Sequence, residues 1–148
     1  MNISEFSLLF TKHPVLRKLC KDLESNPEYK GLLKGCNGSE PYFFVAHIFN
    51  VLKQNLLLIL PDADEASDAI DDLTSILGAR YSLLFPSSYK RSIQYEQTDK
   101  SNMLLRTETL EKLSNAQNPF IVVTYPEAII EQVISKKDFQ AKIQVLHK

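Results

Sequence analysis

Three short apolar runs, NLLLILP (55–61), YSLLFP (81–86) and PFIVVTY (119–125), do most to limit what this chain can fold into. Each is unbroken rather than alternating, which is the mark of a strand covered on both faces, as in a parallel sheet. The segments between them carry the helical period. Asp62 to Gly78 is the clearest, with Ala69, Ile70, Leu73, Ile76 and Leu77 on one face and Gly78 as the stop. A second helix is expected from about Asp99 to Ser114, with Met103, Leu104, Leu110 and Leu113 as its apolar residues. Ser39 is placed to cap a helix through Lys53 built on Phe43, Phe44, Ile48 and Phe49, and Pro126 to open one through Val133. Leu32-Leu33 reads as a short strand ending in a glycine turn, and KIQVLH (142–147) as a final strand. Strands alternating with helices of about ten to fifteen residues imply right-handed βαβ crossovers and a mostly parallel sheet flanked by helices.

The start of the chain follows another pattern. Ser4 is expected to cap a short helix, and Pro14 to begin a second that reaches about Glu24, with Leu16, Leu19, Cys20 and Leu23 at helical spacing. Asn26-Pro27 breaks it. Residues 1–28 therefore read as a helical appendage and 29–148 as one α/β domain. The stretch SSYKRSIQYEQTD (87–99) is the longest irregular segment.

Composition narrows the possible functions. The chain has 148 residues, 44% hydrophobic and 24% charged, which suits one globular domain with a substantial core. Its formal net charge is −1, from 17 basic and 18 acidic side chains, so no basic excess draws it to duplex DNA or anionic membrane. Cys20 and Cys36 have neither zinc-ligand spacing nor the pattern of a secreted disulfide framework. The N-terminal residues lack the basic and apolar regions of a signal peptide, and the run Leu56 to Leu60 is far too short to cross a bilayer. A cytoplasmic location with no membrane contact is expected.

In a parallel α/β sheet, the first strand-to-helix turn is where backbone amides and a helix N-terminus would hold phosphate. Here that turn is Gly35-Cys36-Asn37-Gly38-Ser39-Glu40-Pro41-Tyr42. Against the pattern G-x-x-x-x-G-K-[ST], Gly35 matches the first glycine, Glu40 replaces the second, Pro41 the lysine and Tyr42 the small hydroxyl residue. Pro41 supplies neither an ammonium group nor an N–H, and Tyr42 is a poor substitute for the hydroxyl that holds magnesium. Glu40 places a carboxylate where triphosphate would lie; at about 4 Å and a dielectric near 20 this costs about 4 kcal/mol, roughly a thousandfold in affinity. The expectation is a three-layer RecA-like (P-loop NTPase-like) domain whose phosphate loop, including Gly38 and Ser39, is vestigial and holds no nucleotide. The plainer alternative is a helix start in which Gly35 and Gly38 serve only the turn.

The segment LLKGCNGSEPYFFVAHIF resembles the degenerate first motif of the transcription-repair coupling factor family, related to the intact phosphate loop of the excision-repair subunit UvrB. The likeness continues in order through LLLILPDADEASDAIDDL, LLFPSSY, MLLRTETLEKL with Arg106, and IVVTYPEAIIEQV, covering roughly residues 31 to 148. One departure stands out. After Pro86 the family usually has an aromatic-acidic pair and then Leu-Pro-Tyr, where this chain has SSYKRSIQYE. The resemblance implies a non-catalytic UvrB-like module of a DNA translocase that displaces stalled RNA polymerase and recruits UvrA. The UvrA-binding module and the motor, with its ATP and magnesium, would lie downstream, so this segment itself needs no cofactor. Its partners would be neighbouring domains, with UvrA, RNA polymerase and DNA reached through the parent protein. The alternatives are a stand-alone nucleotide-binding domain and a DNA-binding domain related to UvrB and the helicases.

Other candidates are weaker. Asp62, Asp64, Glu65, Asp68, Asp71 and Asp72 lack the residues an EF-hand needs at Ala66 and Ser67, and acids early in a helix complement its dipole. No metal site is expected. His47 lies on the same helical side as Phe43 and Phe44 and reads as a packed histidine, with no nucleophile motif beside it. Cys36 at a helix start has the setting of an acidic thiol. Tyr89, Lys90, Arg91 and Tyr95 interleave bases with aromatics, as single-strand binders do, and form a candidate interaction loop. Lys136-Lys137 is expected to complement a helix C-terminus.

Overall fold

The structure, a computed structural model, describes residues 3–89, 99–115, 117–133 and 135. Six helices and three strands are formed among them: α1 Ile3–Thr11, α2 Pro14–Ser25, α3 Glu40–Leu52, β1 Leu56–Ile59, α4 Ala63–Leu77, β2 Ser82–Leu84, α5 Lys100–Ser114, β3 Ile121–Thr124 and α6 Pro126–Ile130. The three apolar runs are the three strands. They form one parallel sheet in the order β1-β3-β2, with Leu56 and Ser82 both level with Ile121.

Register sets the layers, because alternate residues point to opposite faces. Ile121 and Val123 face a core made by Ala46 and Phe49 of α3 and Ala66, Ala69 and Leu73 of α4, with Leu56, Leu58 and Leu84 packed against it. Helix α5 lies against β2 on the other side. Helices thus flank the sheet on both faces, an α/β arrangement consistent with a three-layer RecA-like fold. The sheet is unevenly covered: Leu57 and Ile59 of β1 remain 62% and 53% exposed. Helices α1 and α2 pack on α3. The Phe10 ring stacks on Phe43 at 5.1 Å and meets Phe44 edge-on at 5.4 Å, while Leu16 and Cys20 are buried.

Local chemistry explains most of the helix ends. Asp62 caps α4 by accepting the Glu65 N–H at 2.9 Å, and Gly78, at φ 94°, ends it. Asp99 caps α5 through the N–H groups of Ser101 and Asn102. Lys53, in the left-handed region at φ 52°, closes α3.

Several expectations are corrected. Leu32-Leu33 is not a strand; both residues are largely exposed, at 79% and 44%. Two apolar residues between glycines and lysines bury too little surface to offset the cost of ordering the backbone. Helix α1 begins at Ile3, so Ser4 lies inside it rather than capping it. Ser39 has helical torsions and makes no side-chain cap. Helix α6 stops at Ile130 instead of Val133, because the Glu131 backbone turns extended while its side chain reaches back to another loop. In α5 the buried residues are Arg106 and Thr109, with Met103 and Leu104 exposed. The KIQVLH segment and Lys136-Lys137 lie outside the described residues.

Candidate functional site

In open parallel sheets, ligands approach the carboxyl ends of the strands, where loops converge and helix N-termini point. Two different constructions occupy that edge here. The first is the turn into α3, whose Tyr42 lies near Glu65 in the first turn of α4, the helix that leaves β1. Gly35 and Gly38 take φ values of 84° and 53°, which favour glycine whatever the surrounding space. Asn37 organises the turn: its side-chain amide donates to the Gly35 carbonyl and its N–H to Glu40 Oε2, both at 3.4 Å. Two further amides are used in the chain reversal, Glu40 N–H to the Asn37 carbonyl at 3.2 Å and Tyr42 N–H to the Ser39 carbonyl at 3.1 Å.

The electrostatics around this turn are acidic. Tyr42 is half-buried, and its phenol pKa is raised by burial and then by Glu65, Asp72 and Asp68 of α4. Cys36, expected to be an acidic thiol, is instead held above its ordinary value, by desolvation and by the nearby Glu40 carboxylate. His47 is half-buried on α3, its pKa lowered by burial.

The second construction joins the turns that leave β2 and β3. Arg106, only 8% exposed, reaches out of α5 and donates from Nη1 to the Pro86 carbonyl at 2.7 Å and the Ala128 carbonyl at 3.1 Å. Its guanidinium lies over the Phe85 ring at 4.1 Å, and Nη1 stands 3.5 Å from Glu131 Oε2. Glu131 accepts the Ser88 hydroxyl at 2.6 Å, the Ser88 N–H at 2.9 and 3.1 Å and the Ser87 hydroxyl. The Tyr125 hydroxyl accepts the Ser87 N–H at 2.8 Å, and the Thr109 and Thr124 hydroxyls donate to the Leu84 and Phe85 carbonyls. No buried side-chain polar atom among the described residues lacks a partner. Beside the cluster lies a cavity of about 410 Å3 lined by Ser87, Ser88, Tyr89, Glu127, Ile130, Glu131 and Gln132.

These charges tune one another. Burial disfavours the charged form of both Arg106 and Glu131. For Arg106 it dominates, pulling the guanidinium below its ordinary value despite Glu131 and Tyr125. For Glu131, hydrogen bonds from Ser87 and Ser88 and the charge of Arg106 outweigh it, leaving the carboxyl below the usual range. The Tyr125 pKa is raised, chiefly by burial.

Of the candidate interaction loop, Tyr89 is half-buried and borders the cavity, while Lys90, Arg91 and Tyr95 lie outside the described residues. Sequence reasoning did not single out Ser87, Ser88, Tyr125 or Glu131, although they lie in LLFPSSY and IVVTYPEAIIEQV, two segments of the family resemblance, as Arg106 lies in a third. Among the described residues no group of three His, Cys, Asp or Glu could hold a metal ion. No helix among them is long and apolar enough to cross a membrane.

Fold and edge together define a RecA-like α/β module whose strand ends carry a tied polar cluster. Over 120 residues, 78% of this chain, it is 29% identical to the transcription-repair-coupling factor of Bacillus subtilis. The chain spans about 10% of that relative's length. No protein-family model matches the chain, and no solved structure does.

Proposed function

We propose that this chain is a non-catalytic, UvrB-like module of a transcription-repair coupling factor, serving transcription-coupled excision repair through contacts between domains. The observation that carries this reading is the similarity to the Bacillus factor across most of the chain. The turn into α3 supports its non-catalytic half: Glu40, Pro41 and Tyr42 stand at the helix start, and carboxylates of α4 border Tyr42. A triphosphate brought there would meet negative charge and amides already engaged within the turn. ATP and magnesium then belong to a motor elsewhere in the parent protein, and UvrA, RNA polymerase and DNA are reached through that parent.

Two measurements test the two halves separately. Titration with magnesium-ATP by calorimetry is expected to give no binding heat, and micromolar affinity would overturn the vestigial loop. In cells, deleting these residues from the reading frame is expected to abolish preferential repair of the transcribed strand. Retained strand preference would overturn the coupling role.

A further inference from the structure

We propose that Arg106 and Glu131 form a latch at the carboxyl edge of the sheet, with Arg106 the fixed post and Glu131 the releasable catch that holds the turn after β2 against the end of α6. This does not depend on the coupling-factor reading.

The two residues are attached differently. Arg106 projects from the middle of a 15-residue helix, and its closest bonds go to backbone carbonyls, Pro86 on one turn and Ala128 on the other. With its partners on both sides and Phe85 beneath it, it stays in place when any one side chain leaves. Glu131 follows the last residue of α6, with extended torsions of φ −68° and ψ 139°. Its carboxylate gathers the Ser87 hydroxyl and both the hydroxyl and N–H of Ser88. The ion pair to Arg106, at 3.5 Å, is the longer contact, so the serines take most of the hold.

The ground beside the catch is open. The cavity of about 410 Å3 lies next to the turn and gives Ser87 and Ser88 room to move. Ile130, on its wall, is 80% exposed and adds little packing of its own. Among the described residues, the charged and titratable groups around the catch include Arg106 from α5, Tyr125 at the end of β3, Glu127 on α6 and Tyr89 on the cavity wall, and Arg106 is the cation paired with the carboxylate. Releasing Glu131 removes the carboxylate's hold on the Ser87 hydroxyl and on Ser88. The Tyr125 hydroxyl keeps the Ser87 N–H, the Asp99 N–H keeps the Ser88 carbonyl, and the Arg106 bonds keep the sheet and α6 together. The latch thus separates local order at this edge from stability of the core.

Hydrogen exchange of single amides, followed by NMR on the whole chain, distinguishes a latch from an ordinary stabilising contact. In Glu131→Ala, the Ser88 amide is expected to exchange about ten- to a hundredfold faster, the loss of one hydrogen bond to a charged acceptor. The amides of Val122 and Val123 in β3 are expected to exchange as in the parent protein. Glu131→Gln keeps one carbonyl acceptor and is expected to fall between the two. An unchanged Ser88 amide would overturn the proposal, as would acceleration of Ser88, Val122 and Val123 by one common factor. Failure of Glu131→Ala to fold would also overturn it, since a catch must be removable.

Discussion

The two constructions at the carboxyl edge differ in how they are held. The turn into α3 is local: its bonds join residues two or three positions apart, and its glycines set the backbone. The Arg106 cluster joins residues 20 to 44 positions apart and takes parts from α5, both strand exits and α6. A local turn announces itself in sequence, because neighbouring residues carry all of its chemistry. A cluster assembled from four segments is visible only once the chain has folded. The local turn has the glycines of a tight reversal, and carboxylates of α4 lie near its Tyr42. The distant cluster carries the shorter hydrogen bonds.

Substitutions should expose this difference in graded amounts. Replacing Arg106 with alanine leaves the buried Pro86 and Ala128 carbonyls without this donor and removes the cation paired with Glu131. It is expected to destabilise the domain by about 3–5 kcal/mol in urea denaturation. A loss below about 1 kcal/mol would erase the contrast with the α3 turn. Tyr125→Phe removes the acceptor of the buried Ser87 N–H and is expected to cost about 1–3 kcal/mol by the same measurement.

Acid offers a third test. The folded-state pKa of Glu131 lies below its ordinary value, because bonds from the serines and the charge of Arg106 outweigh burial. Its stabilisation is therefore complete above the ordinary glutamate value and is lost as pH falls through the lower folded value. The ratio of Ser88 amide exchange rates between Glu131→Gln and the parent is expected to shrink over that acid range. A constant ratio would mean the carboxylate charge contributes nothing. The smallest effect belongs to the α3 turn. Gly35→Ala forces a side chain into the left-handed region with nothing within 4 Å to clash, so only about 1 kcal/mol is expected, read from the thermal midpoint.

Particular elements show what could be read in advance. The strands at 56–59, 82–84 and 121–124 and the helix after Asp62 were legible, because unbroken apolar runs and a capped amphipathic period are properties of short segments. Leu32-Leu33 misled for the reverse reason, since a strand so short exists only if a neighbour pairs with it. In α5 the sequence offered Met103, Leu104, Leu110 and Leu113 as the apolar residues, yet the buried ones are Arg106 and Thr109. Their partners are carbonyls of Leu84, Pro86 and Ala128, which no inspection of the helix alone could supply.

The order of residues was enough to determine an alternating α/β chain, three unbroken apolar strands, and a helix start with carboxylate, proline and phenol at 40 to 42. All of these follow from interactions within a few positions along the backbone. Only tertiary structure decided that β3 lies between β1 and β2, that one sheet face at Leu57 and Ile59 stays open, and that Arg106 and Glu131 meet. Those outcomes depend on which distant groups can satisfy one another once water is excluded, and buried polar atoms accept few solutions.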